Sequence, residues 1–208
     1  KMRNRDCEKS DFFSALKKAE SVCLNLFIEA RIFNFWPAYI IHCIESTKPT
    51  GSFLEFGVNM GGTVNTMADA FPEKLFHGFD SFFGLQEEWC GYEVGHLSLN
   101  GKPPEVRDNV ILHIGDFEQS LDQFLNENNE KISFAHIDCD LYSSTKTIFN
   151  KMGGRLQKGT VIVFDDFILD LETKDGFQAF EEYISESSFS YSYLCSHFHG
   201  DSVAVVIE

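Results

Sequence analysis

The stretch from Ser52 to Thr63, S-F-L-E-F-G-V-N-M-G-G-T, decides the fold. Phe53, Leu54 and Phe56 make a short apolar run ending in Gly57. Gly61, Gly62 and Thr63 then open a segment with helical spacing, so the order reads strand, glycine turn, helix. That order builds a nucleotide pocket, because glycine lets the backbone pass close under a ligand and the free N–H groups of the first helical turn face it. A dinucleotide site would read G-x-G-x-x-G. This loop reads E-x-G-x-x-x-G-G instead, with Glu55 two places before the first glycine. A carboxylate there suits a ligand with positive charge near the turn, such as the amino group and sulfonium of S-adenosylmethionine, better than a pyrophosphate. A glycine-rich turn without a ligand is the alternative reading of the same residues.

Working outward, 208 residues suffice for one α/β domain with a substantial core, and no linker-like stretch argues for a second. We divide it into an N-terminal helical cover over 1–50 and the nucleotide-binding unit over 51–208. No apolar run reaches the length of a membrane span, and Lys1, Arg3, Arg5 and Asp6 are unlike a signal peptide. A cytoplasmic protein is the expectation. The six cysteines are scattered without C-x-x-C or zinc-like spacing, which favours reduced, core-filling thiols. A net charge of −15 disfavours nucleic acid and anionic membranes as partners, while small ligands, divalent metals and a homo-oligomer stay compatible.

Upstream of the glycine turn, Phe12, Leu16, Ala19, Cys23, Leu26, Phe27 and Ala30 recur at three and four, predicting an amphipathic helix from Asp11 to Ala30. A second helix is predicted from about Pro37 to Ser46, with Asn34 as cap. Downstream, a helix from Thr63 to Phe71 precedes a strand from Leu75 to Phe79 that ends in Asp80 and Ser81. An acid about 20 residues beyond the glycine turn is placed to accept from the ribose hydroxyls; a turn or cap role for Asp80 is the alternative. The connection 81–109 is long for a compact domain and carries Trp89, Tyr92 and His96, so it reads as a mobile cover that supplies aromatic contacts. The strand Val110 to Ile114 ends in Gly115, Asp116 and Phe117, where Asp116 could bond an adenine amino group and Phe117 stack on its ring, or Asp116 could cap the next helix.

The chemistry concentrates further on. A strand from Ile132 to Ile137 runs into Asp138-Cys139-Asp140, and one from Thr160 to Phe164 runs into Asp165-Asp166. Acids at two strand ends lie on the edge where open α/β sheets bind ligands, and they repel one another unless a cation joins them. Oxygen donors alone suit Mg²⁺ or another hard divalent ion. Helix capping by Asp138 or Asp140 is the competing reading. Last come a helix from Gly176 to Glu186 and a hairpin, Phe189 to Leu194 and Ser202 to Ile207, whose turn carries His197 and His199 as a base or as solvated residues.

Glu55-x-Gly57, Phe79-Asp80-Ser81-Phe82-x-Gly84-Leu85, His136-Ile137-Asp138-Cys139-Asp140-Leu141-Tyr142-Ser143-Ser144-Thr145 and Gly159-Thr160-Val161-Ile162-Val163-Phe164-Asp165-Asp166 closely resemble the macrocin O-methyltransferase family, from roughly Phe53 to Ile207. The resemblance implies a class I methyltransferase: a seven-stranded, mostly parallel sheet with an antiparallel last strand and helices on both faces. It implies S-adenosylmethionine as methyl donor, a hydroxyl of a small molecule such as a sugar or natural-product glycoside as acceptor, and Mg²⁺ held by Asp138, Asp165 and Asp166. Many relatives carry Glu at the place of Asp166 and Pro at that of Gln86.

The cofactor set expected is thus Glu55, Gly57, Gly61, Gly62, Thr63, Asp80, Ser81, Gly115, Asp116 and Phe117. Catechol-type methyltransferases place a lysine base three residues after the metal aspartate. Leu141 holds that position here, so Asp138 or Asp140 is expected as the base. An NAD-dependent oxidoreductase and a non-catalytic binding module are the competing functions; the absent G-x-G-x-x-G counts against the first.

Overall fold

The short apolar runs become strands and the amphipathic segments between them become helices. The structure, a computed structural model, describes residues 31–167, 176–197 and 202–208. In chain order these form β1 (Arg31–Phe33), α1 (Trp36–Glu45), β2 (Ser52–Phe56), α2 (Gly62–Ala70), β3 (Phe76–Asp80), β4 (Val110–Ile114), α3 (Phe117–Glu127), β5 (Ile132–Ile137), α4 (Tyr142–Met152), β6 (Val161–Phe164), α5 (Gly176–Glu186), β7 (Tyr191–His197) and β8 (Val203–Ile207).

The strands make one sheet in the order β1-β7-β8-β6-β5-β2-β3-β4. Only β8 runs against its neighbours; the other pairings are parallel. Parallel strands covered on both faces read as near-continuous apolar runs, and β2, β5 and β6 are buried throughout, with Ser52, Glu55, Ser133 and His136 as buried polar exceptions. Leu54, Phe56, Ile137 and Phe164 pack against α3, α4 and α5 through Phe124, Phe149 and Phe180. On the opposite face Phe53, Phe134 and Val163 meet α1 and α2 through Ile40, Cys43, Val64 and Met67.

The sheet has eight strands where seven are expected, and the additional one falls in the segment read as helical cover. Arg31–Phe33 lies parallel to the outer side of β7, pairing Arg31 with Cys195 and Phe33 with His197. A three-residue strand is too short to show a period, and its role is to cover an otherwise unpaired edge. Helix α1 starts one residue earlier than expected: Phe35, not Asn34, holds the N-cap position without a side-chain bond, and Pro37 sits in the first turn. The helix expected over 11–30 and the turn residue His199 lie outside the described residues.

Candidate active site

The chain reverses direction across the sheet between β2, whose next strand β3 lies on one side, and β5, which lies on the other. Ligands in open α/β sheets bind at this switch point, beyond the C-terminal strand ends. A cleft of about 680 Å³ opens there, lined by Gly57, Asn59, Asp80, Ser81, Gly115, Asp116, Phe117, Asp138, Asp140 and Asp166 together with Trp89, Tyr92 and His96. That volume is in the range of small-molecule sites.

Gly57 shapes the floor. Its φ is +93°, and a Cβ there would overlap the carbonyl oxygen of Asp138. Gly61 also has positive φ and forms the N-cap of α2. Asp80 holds this turn: its carboxylate accepts from the backbone N–H groups of Val58 (2.9 Å), Asn59 (2.8 Å) and Phe82 (2.7 Å). A carboxylate has about four acceptor sites, so three are committed to the protein and roughly one is left to face the cleft. The turn role and the ligand role therefore share one side chain.

At the far side, Phe117 packs edge-on against Phe56 at 5.6 Å, and the exposed carboxylate of Asp116 accepts from Gln86 Nε2 at 2.7 Å. Gln86 belongs to the 81–109 connection. The neighbouring Glu87 accepts from Ser143 Oγ at the start of α4, so the connection bridges the cleft from α3 to α4. Leu85 and Trp89 pack on Leu141 beneath it. Tyr92 and His96 stack at 4.1 Å along the wall.

Several expected residues are placed differently. Glu55 does not line the cleft: it is buried within the sheet, where Oε1 lies 3.0 Å from His136 Nδ1. Adjacent registration of Glu55 with His136 on paired strands makes that contact. Gly61, Gly62 and Thr63, at the start of α2, are likewise not among the lining residues. His197 packs near Tyr39 at 5.9 Å, at the outer part of the sheet. The hairpin reaches the acids through a residue that sequence reasoning missed, Ser202, which donates to Asp165.

The acids form two groups that share Asp138. One joins Asp138 with Asp140 and Asp166; the other joins Asp138 with Asp165 and His136; in each, one donor atom per residue lies within 4.8 Å of the rest. The expected trio of Asp138, Asp165 and Asp166 lines one small cavity together with Asp140, and of the three Asp138 and Asp166 also line the larger cleft. Asp140 and Asp166 both have left-handed backbones, with φ of +62° and +52°. Such conformations cost free energy for a non-glycine residue and cluster at functional sites.

Charge makes the group that includes His136 unusual. Burial, reinforced by Asp165, Glu55 and Asp140, pushes the Asp138 carboxyl well above the ordinary range, against the pull of His136. Burial likewise raises Glu55. For His136 burial opposes charge, yet the Glu55 hydrogen bond and the surrounding carboxylates outweigh it and lift the imidazole to about 9. Carboxylates gathered this way call for a positive charge among them. The carboxylate oxygens of Asp138, Asp140, Asp165 and Asp166 are hard donors, which fit a divalent cation. Nothing in the local sequence announces the Glu55–His136 pair, because it is made by cross-strand registration.

Residues 54–167, more than half of the chain, match a family described as a methyltransferase domain. The chain belongs to that family. It is a methyltransferase with the class I fold: a mostly parallel sheet closed by an antiparallel strand. Among solved structures, this methyltransferase is similar to the calicheamicin methyltransferase CalS11, at 18% identity and a TM-score of 0.61, over 99% of this chain and 94% of that one. It is similar also to the O-methyltransferase NovP, at 18% identity and a TM-score of 0.61, over 82% of this chain and 78% of that one. The MycE methyltransferase in complex with Mg, SAH and mycinamycin VI matches at 14% identity and a TM-score of 0.53, over 82% of this chain and 47% of that one. A search of curated proteins finds no match to this chain. Among the described residues no helix is long and apolar enough to cross a membrane.

Proposed function

We propose that this methyltransferase transfers a methyl group from S-adenosylmethionine to a hydroxyl of a small molecule, a sugar or natural-product glycoside, with a hard divalent cation held by Asp138 and the Asp165-Asp166 pair. The observation that carries the reading is the position of Asp138, which belongs at once to the cleft wall and to both acid groups. A donor lying over the glycine turn and a cation among the acids would then face the same acceptor. The motifs that resemble those of macrocin O-methyltransferases support this, as does the solved complex of the similar MycE methyltransferase with Mg, SAH and mycinamycin VI.

The donor supplies a sulfonium-activated methyl, and the cation supplies Lewis acidity that lowers the pKa of the acceptor hydroxyl. The protein's own residues do the rest. Asp80 holds the turn that would seat the donor; Asp116 and Phe117 would border its base; Trp89, Tyr92 and His96 would wall the acceptor side and exclude water. Asp140, which faces the cleft beside Asp138, would take the proton that the acceptor hydroxyl gives up on methylation. Holding the reactants in line contributes on the order of 7 to 11 kcal/mol to such reactions. A cytoplasmic location accords with the cysteine pattern of the sequence.

Calorimetric titration with S-adenosylhomocysteine, with and without Mg²⁺, followed by a screen of polyols, phenols and glycosides for methyl acceptance, tests the proposal. Binding of this ligand and metal-dependent methylation of a hydroxyl are expected. Heat with NAD and none with S-adenosylhomocysteine would overturn it.

A further inference from the structure

We propose that His136 is itself a metal ligand through Nε2, which makes the Asp138–Asp165 half of the acid cluster a mixed nitrogen–oxygen site for a first-row transition ion such as Mn²⁺. This rests on the metal-assisted reading above and adds the class of ion and the donor that selects it.

The His136 side chain is fully buried, and Nε2 has no hydrogen-bond partner. Its other nitrogen, Nδ1, is engaged by Glu55 Oε1 at 3.0 Å; the surrounding carboxylates favour a proton on the metal-free imidazole, and a cation bound at Nε2 would displace that proton. A buried ring nitrogen without a partner is costly unless something arrives to meet it. A ring nitrogen of His136 lies within 4.8 Å of one carboxylate oxygen each from Asp138 and Asp165, and Nε2 is the one left to serve them. A carboxylate on one imidazole nitrogen and a metal on the other is the arrangement by which proteins set the tautomer and direction of a ligating histidine. Glu55 supplies that carboxylate.

The strands place the donors. His136 and Asp138 are two residues apart, at the end of β5 and just beyond it. Asp165 follows β6, the parallel neighbour on one side, and Glu55 lies on β2, the neighbour on the other. Glu55 thus acts from behind while Asp138 and Asp165 stand ahead. Ser202 donates to Asp165, which holds one of its oxygens and leaves the other to the cluster. A pure oxygen site would favour Mg²⁺ or Ca²⁺, whereas an imidazole adds affinity for borderline transition ions, and Mn²⁺ accepts both donor types.

The test uses the full chain loaded with Mn²⁺. Pulsed electron paramagnetic resonance of the wild-type complex is expected to show ¹⁴N coupling from a directly bound imidazole. His136→Gln is expected to lose that coupling and to weaken Mn²⁺ binding by about 10- to 100-fold, while Mg²⁺ affinity changes by no more than about 2-fold. Glu55→Leu is expected to weaken Mn²⁺ binding in the same direction. The wild-type spectrum needs no variant, so it stands even if a substitution prevents folding. Mn²⁺ bound without nitrogen coupling, or no Mn²⁺ bound at all, overturns the inference. The first outcome leaves the methyl-transfer reading intact. Failure to bind S-adenosylhomocysteine would sink that reading while a nitrogen-coupled Mn²⁺ still upheld this one.

Discussion

Gly57 and Asp138 meet just beyond the C-terminal ends of β2 and β5: a Cβ on the glycine would overlap the aspartate's carbonyl oxygen. The two residues are bound into the ladder on either side, with Gly57 N–H donating to Phe79 O at 3.0 Å and Asp138 N–H to Phe56 O at 2.9 Å. The glycine turn and the acid cluster are therefore one mechanical unit. Gly57→Ala must both accept a φ of +93° and move Asp138. A loss of about 3 kcal/mol or more, or failure to fold, is expected in urea denaturation.

Asp80 ties the same turn to β3 through three backbone N–H groups. In Asp80→Ala those donors lose their acceptor and the turn loses its shape. Affinity for S-adenosylhomocysteine should fall by about tenfold or more, each lost charge-assisted bond contributing about 1.5–3 kcal/mol. Calorimetry giving an affinity within about twofold of wild type would show that the turn keeps its shape without the carboxylate.

Asp165 is not among the residues that line the large cleft and accepts from Ser202. Asp165→Ala should abolish metal-dependent turnover, while affinity for S-adenosylhomocysteine stays within about a few fold because no cofactor-side contact is lost. Unchanged turnover in a Mg²⁺ or Mn²⁺ series would remove this aspartate from the mechanism.

The 81–109 connection is pinned over the cleft by Gln86 to Asp116 and by Ser143 to Glu87. Removing both ties in Gln86→Ala/Glu87→Ala should raise the acceptor KM by roughly tenfold, a loss of about 1.4 kcal/mol, with a smaller effect on kcat. Steady-state kinetics with a saturating donor reads this split.

His77 and His113 stand side by side on β3 and β4, with ring nitrogens 3.0 Å apart. Burial first, and the His113 charge second, lower His77 from 6.5 to about 4. The unfolded chain therefore takes up a proton at His77 before the folded one does. Stability from this site is fully present above about pH 6.5 and is lost as pH falls towards about 4. Urea midpoints measured across that window should fall less steeply in His77→Leu than in wild type.

The alternation of apolar runs, glycine turns and amphipathic segments was enough to read an open α/β sheet and the approximate span of its principal strands, while the class I topology was what the resemblance of its motifs implied. Period and turn chemistry are local properties of the chain. Placement of Asp80, Asp116, Asp138 and Asp166 on one cleft was legible for the same reason, since in a parallel sheet all residues just past strand ends share an edge. Arg31–Phe33 escaped notice because three residues carry no period. The Glu55–His136 pair, the reach of Ser202 to Asp165 and the division of the acids into two groups that share Asp138 were decided by tertiary structure alone. Each depends on the registration of neighbouring strands, and registration is set by packing between segments distant in the chain.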